Sequence, residues 1–147
     1  MHLNGVVADG NLFVGIWLDG SPANSIMSFE ANDNGVAGVY VGCGAGPTDV
    51  ACPPGRLSSN GNVISGVAVA SSGSSVETNS TASATISPLQ PFGVAIDLDS
   101  LGNLVTLVTA HGNRFFDMED LNPHCGSNEW LGNSFDPGQT KPAVCIH

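Results

Sequence analysis

Short apolar runs rich in Val, Ile and Leu alternate along the chain with clusters of Gly, Asn, Ser and Asp. No window of twelve residues carries apolar positions at i, i+3, i+4 and i+7 without a Gly or Pro, so the helical period is missing. Apolar runs of this length between turn residues predict short strands. Asp9-Gly10 and Asn60-Gly61 each stand between two such runs, where an Asx-Gly pair predicts a β-hairpin. The longest apolar run, residues 12–18, has seven residues, far below the roughly 20 that a membrane-spanning helix needs. The pattern predicts an all-β chain.

Composition sharpens this reading. Gly (19), Ser (16) and Asn (13) make up about a third of the 147 residues, and Gly and Asn are the residues that tolerate positive φ in tight turns. The length suits a single domain, residues 1–147. Charged residues are only 11% of the chain, with 13 acids against 3 bases and a formal net charge of −10. Three cations build no patch for phosphate, which argues against nucleic acid and anionic membrane as partners. An apolar content of 41% separates the chain from a disordered acidic tail.

Four cysteines, Cys43, Cys52, Cys125 and Cys145, form an even set without the C-x2-C spacing of zinc sites. Four cysteines allow three pairings. We favour Cys43 with Cys52 and Cys125 with Cys145, because each bridge then clips one loop. The even count, the single Lys and the Asn79-Ser80-Thr81 sequon, with Asn79 as its glycosylation acceptor, point to a secreted or cell-surface setting. Met1-His2-Leu3-Asn4 has neither the charged nor the apolar region of a signal peptide. The Ser/Thr-rich residues 71–87 read as a loop and an edge strand, ended by Pro88 and Pro91.

Gly-Asn pairs begin at positions 10, 61 and 102, separated by 51 and 41 residues, close to the 40–50 of a propeller blade. They suggest repeat units at about 1–46, 47–90 and 91–147. The third unit holds Pro91-Phe92-Gly93-Val94-Ala95-Ile96-Asp97, then Gly102-Asn103, then Gly112-Asn113-Arg114-Phe115-Phe116. This succession resembles one NHL repeat, best over residues 91–116. The resemblance implies a β-propeller of which this chain holds about three blades, completed either by oligomerisation or as part of something larger, with Arg114 tying one blade to the next. A β-sandwich of seven or eight short strands is the alternative that the composition also fits.

Two acidic segments hold the candidate chemistry. Asp97, Asp99 and Asn103 follow part of the D-x-D-x-[DN]-G pattern of a Ca²⁺ loop, with Leu101 where the third oxygen ligand belongs. Asp117, Glu119, Asp120 and His124 put three carboxylates and an imidazole within eight residues, suited to a metal or to acid–base work. His111 reads as a turn residue, and Trp17, Tyr40 and Trp130 as core anchors. No Gly-x-Ser-x-Gly elbow is present, and no Ser/His/Asp set can be chosen among sixteen serines.

These features lead to three functional expectations. The first is an extracellular binding or scaffolding module that recognises a protein, glycan or small ligand. The second is a Ca²⁺-dependent propeller hydrolase or lyase. The third is a self-assembling structural subunit of a filament or capsid, whose sheet edges pair between chains. Enzymatic activity is the less favoured of these, and a homo-oligomer is the expected partner.

Overall fold

The computed structural model describes residues 1–43, 58–65, 69–70 and 90–146, residues 69–70 by their backbone alone. Cys52, Asn79 and residues 71–87 lie outside the described residues. The fold is all-β. Sheet A orders its strands β1 (His2–Val7), β3 (Ser25–Glu30), β5 (Val63–Ser65), β8 (Leu104–Thr106) and β11 (Glu129–Leu131). Sheet B orders β2 (Val14–Asp19), β4 (Ala37–Gly42), β7 (Phe92–Ile96), β10 (Phe116–Asp120) and β13 (Thr140–Lys141). Sheet C holds β6 (Val69–Ala70), β9 (Thr109–His111) and β12 (Ser134–Phe135).

Every described strand pair is parallel. Successive strands visit sheets A and B, and in the last three turns A, C and B, so the chain winds through five stacked coils. This is a parallel β-solenoid, in which each coil buries its apolar side against its neighbours. Propeller blades and the alternative sandwich both need antiparallel neighbours, and none occurs among the described residues. The expected hairpins are corrected accordingly. Asp9-Gly10 and Asn60-Gly61 are corners that pass the chain from one sheet to the next. Hairpin turns and solenoid corners make the same local demand: Gly61 and Gly102 sit at φ +66° and +67°, a region closed to most side chains.

The register accounts for the repeats. Partners in adjacent coils are 23 residues apart at His2↔Ser25, 24 at Phe92↔Phe116 and 25 at Leu104↔Glu129. They are 38 apart at Ser25↔Val63 and 41 apart at Val63↔Leu104, because residues 44–57 and 71–89 intervene. The 41-residue spacing of Gly-Asn pairs is therefore one coil with additional chain. Residues 91–116, the stretch that resembles an NHL repeat, run from β7 through β8 and β9 to the start of β10.

Like residues stack along the axis. Leu3, Ile26, Ile64, Val105 and Trp130 form the inward column of sheet A. Ile16, Val39, Val94 and Met118 form one inward column of sheet B, and Leu18, Val41, Ile96 and Asp120 form another. The buried apolar members join one core cluster with Val108, Ala110 and Cys125. At the far end, the Cys125–Cys145 disulfide ties the residues after β13 to the loop before β11, and Ile146 enters the core. Cys43 is also disulfide-bonded. Among the described residues, no helix is long and apolar enough to cross a membrane.

Candidate functional sites

Buried polar ladders frame the surface sites. Asn24, Asn62, Asn103 and Asn128 each precede a sheet A strand and are buried. The Oδ1 atoms of Asn62, Asn103 and Asn128 each accept both the backbone N–H and the Nδ2–H of the rung before, at 2.8–3.1 Å. Asn128 Nδ2 then donates to Asp120 Oδ2 at 2.9 Å. A second ladder precedes the sheet B strands, through Asn11, Asn34, Gln90 and Asn113. It ends where Asn113 N and Nδ2 donate to Asp117 Oδ1 at 3.0 and 2.8 Å.

These bonds place the predicted acidic segment. Asp117 and Asp120 are ladder ends, fully or nearly fully buried. Burial pushes the Asp120 carboxyl above its ordinary value, against lowering contributions from Asn122, Asn128 and Trp130. Glu119 lies on the opposite face of β10 and pairs with Lys141 at 3.2 Å. His124 sits at φ +50° in the 3-10 turn Pro123–Cys125. The four residues therefore point in different directions. The Asp97, Asp99 and Asn103 set is also dispersed: Asp97 accepts the Tyr40 hydroxyl at 2.6 Å, while Asn103 is a rung of the first ladder.

The residues that do converge lie on sheet C. Ala110 and Phe135 face the core, so their strand neighbours His111 and Ser134 face outward. His111 Nδ1 lies 3.0 Å from Asp136 Oδ1, and His111 Nε2 lies 3.2 Å from Ser134 Oγ. The Gly112 N–H donates to Asp136 Oδ2 at 2.8 Å. The Asp136 N–H donates to Asp117 Oδ2, also at 2.8 Å. The Gly112 bond, followed by that of His111, holds the Asp136 carboxyl below the usual carboxylate range.

His111, Asp117 and Asp136 each offer a ligand atom, all within 4.8 Å of one another. The Asp117 and Asp136 oxygens already accept four backbone or amide N–H bonds and one contact with His111. A cation there competes with every one of them. The arrangement reads as a polar relay that starts at the buried ladder and reaches the surface.

A second outward surface lies on sheet B. Trp17, Tyr40, Ala95, Glu119 and Lys141 form one column across five strands. Tyr40 and Trp130 are buried anchors, as expected, but Trp17 is 40% exposed. Its ring lies 6.2 Å from Phe13 and 5.9 Å from Tyr40 between centroids. Phe92 meets Phe115 at 5.7 Å, and the Arg114 guanidinium lies 5.1 Å above the Phe115 ring. A cleft of about 430 Å³ near the disulfide is lined by Leu121, Pro123, His124, Lys141, Pro142 and Val144, among others.

Ser134 and Asp136 carried no signal in the linear pattern. They meet His111 only through the 25-residue register that pairs Ser134 with Thr109 and Phe135 with Ala110. Family models, curated proteins and solved structures yield no match to this chain.

Proposed function

We propose that the chain is an extracellular binding module that holds a glycan on the outward face of sheet B. Solenoids present extended binding surfaces because each coil repeats the same face at a fixed step, here about 4.8 Å between strands. The observation that carries this reading is Trp17, an indole 40% exposed in a chain that buries its other Trp to 2%. Phe13, 43% exposed, extends the same aromatic surface. Aromatic rings with nearby polar groups suit the apolar faces and hydroxyls of sugars. The disulfides fit an oxidising compartment.

Tryptophan fluorescence tests it. Trp130 donates its Nε1–H to Asp120 within the core, so a change on titration with neutral or acidic polysaccharide reports Trp17. We expect a saturable shift that Trp17→Ala abolishes while the fold is retained. No shift with any of these polymers, or a shift that survives in Trp17→Ala, overturns the proposal.

The self-assembling subunit keeps one supporting observation. Among the described residues β1 is the outermost strand of sheet A, and Val7 at its end is 66% exposed. An unpaired edge of this kind templates pairing with another chain. Native mass decides: a concentration-dependent oligomer supports this second reading, and a monomer at all concentrations removes it.

A further inference from the structure

The outward row of sheet C joins a hydroxyl, an imidazole and a carboxylate in the order of a nucleophile, its base and its orienting group. We propose that Ser134, His111 and Asp136 form a serine-nucleophile site that hydrolyses carboxylic esters. The site is separate from the aromatic face of sheet B, and the inference does not depend on glycan binding.

Geometry comes first. A serine hydroxyl is a poor nucleophile unless a base receives its proton, and Ser134 Oγ stands 3.2 Å from His111 Nε2. The base must hold its ring in place with the other nitrogen protonated. Asp136 Oδ1 does this at 3.0 Å from His111 Nδ1, the role of the third residue in such triads. Asp136 is fixed in turn at two points. Its Oδ2 accepts the Gly112 N–H, and its own N–H is bonded to buried Asp117, both at 2.8 Å. The orienting carboxylate thus rests on the end of an interior ladder. Three side chains from two adjacent coils are held in sequence, which chance contact between mobile surface groups does not provide.

The chemistry balances without a cofactor. Ser134 Oγ attacks the ester carbonyl carbon as its proton passes to His111 Nε2. The C–O bond to the alcohol then breaks, and the leaving oxygen takes that proton from His111. Water, deprotonated by the same nitrogen, attacks the acyl-serine, releasing the carboxylic acid and returning the proton to Ser134. Asp136 stays ionised throughout and is a positioning residue. Thr109, on the neighbouring strand β9, is the register partner of Ser134 and is exposed.

Accessibility sets the substrate class. The His111 and Asp136 side chains are 41% and 46% exposed. Among the described residues these groups lie open at the surface, so the site suits an acyl ester displayed on an extended or surface-bound chain.

The test uses the full chain with a fluorophosphonate probe, which phosphonylates activated serines with loss of fluoride. Peptide mass spectrometry should place the adduct on Ser134 in preference to the other serines. Labelling should fall at least tenfold in Ser134→Ala and His111→Ala, and by less in Asp136→Asn, with circular dichroism unchanged. The rate on p-nitrophenyl acetate should likewise fall at least tenfold in Ser134→Ala and His111→Ala. The proposal is overturned if Ser134 reacts no faster than the other serines. It is equally overturned if a folded His111→Ala chain labels Ser134 at the original rate. If Ser134→Ala and His111→Ala both unfold, His111→Gln and Ser134→Cys with a thiol-directed ester probe replace them. An unreactive Cys at position 134 then counts against the site.

Discussion

In the ladder that precedes the sheet A strands every rung is asparagine, and the last one, Asn128, closes on Asp120 inside the molecule. In the ladder that precedes the sheet B strands one rung is Gln90, and the closing carboxylate, Asp117, has one oxygen turned outward to the Asp136 backbone. Both ladders face the same problem. An amide that accepts two N–H bonds still has its own N–H groups to place, so polarity is passed coil by coil until an acceptor with no hydrogens ends it. Asp120 ends it among Asn122, Asn128 and Trp130. Asp117 ends it and also holds the backbone beneath the His111 relay. The first ladder is therefore structural alone, whereas the second anchors a surface group that can do chemistry.

The largest test of this contrast is Asn103→Ala, a break in the middle of the first ladder. The substitution strands the backbone and Nδ2 donors of Asn62 and removes the Nδ2 donor to Asn128 Oδ1, leaving that oxygen only the backbone N–H of residue 103. Unsatisfied buried polar groups cost roughly 1–3 kcal/mol each, so a loss of about 4 kcal/mol is expected in urea denaturation. The outward sites should keep their geometry in whatever fraction stays folded. A loss below about 1 kcal/mol would show that water enters and replaces the rung.

Asp120→Asn should cost less, about 2 kcal/mol at neutral pH. The carboxylate accepts Asn122 N and Nδ2 on one oxygen, and Asn128 Nδ2 and Trp130 Nε1 on the other. An amide turns its own N–H groups against one of those pairs. The pH dependence carries a sign. Because the native Asp120 carboxyl is raised above 3.8, the native state holds this proton more tightly than the unfolded chain. Its contribution to stability therefore falls as pH rises from about 3.8 through the native value. The gap between the parent chain and Asp120→Asn should widen on acidification from neutral pH. A gap that narrows would mean that Asp120 is stabilised as an anion by its four donors.

How much of this could be read from the amino acids depends on which interactions are local. The all-β class follows from Val-rich runs between Gly/Asn clusters, and the Cys125 to Cys145 bridge from loop clipping. The direction of pairing does not follow, because Gly61 and Gly102 adopt the same left-handed backbone at a solenoid corner as in a hairpin. The coil period is hidden as well. Along sheet A only the first and last of the four steps keep 23 and 25 residues, and the two between take 38 and 41. The acidic segment was visible, but its chemistry was not: Asp117 and Asp120 face inward, and Glu119 outward to Lys141. Ser134 and Asp136 belong to a site only because a 25-residue register lays them beside His111.

The smallest expected effect on stability, and the sharpest on the second ladder, comes from Asp136→Asn. Asp136 lies at the surface, where its carboxyl is held low first by the Gly112 N–H and then by His111. A lowered native value means that its contribution is present at neutral pH and is lost as pH falls below 3.8. Solvent screening makes that contribution small, so thermal unfolding at neutral pH should shift less than in either ladder variant. The asparagine oxygen can still accept the Gly112 N–H, and the bond from the Asp136 backbone to Asp117 is untouched. What changes is the imidazole. Without an anion at Nδ1, His111 loses the group that keeps its proton on that nitrogen and leaves Nε2 free to face Ser134. Heteronuclear NMR of the ring nitrogens should therefore show a shifted tautomer population in a chain of almost unchanged stability. An unchanged tautomer would mean that Asp136 does not orient His111, and the second ladder would then be as purely structural as the first.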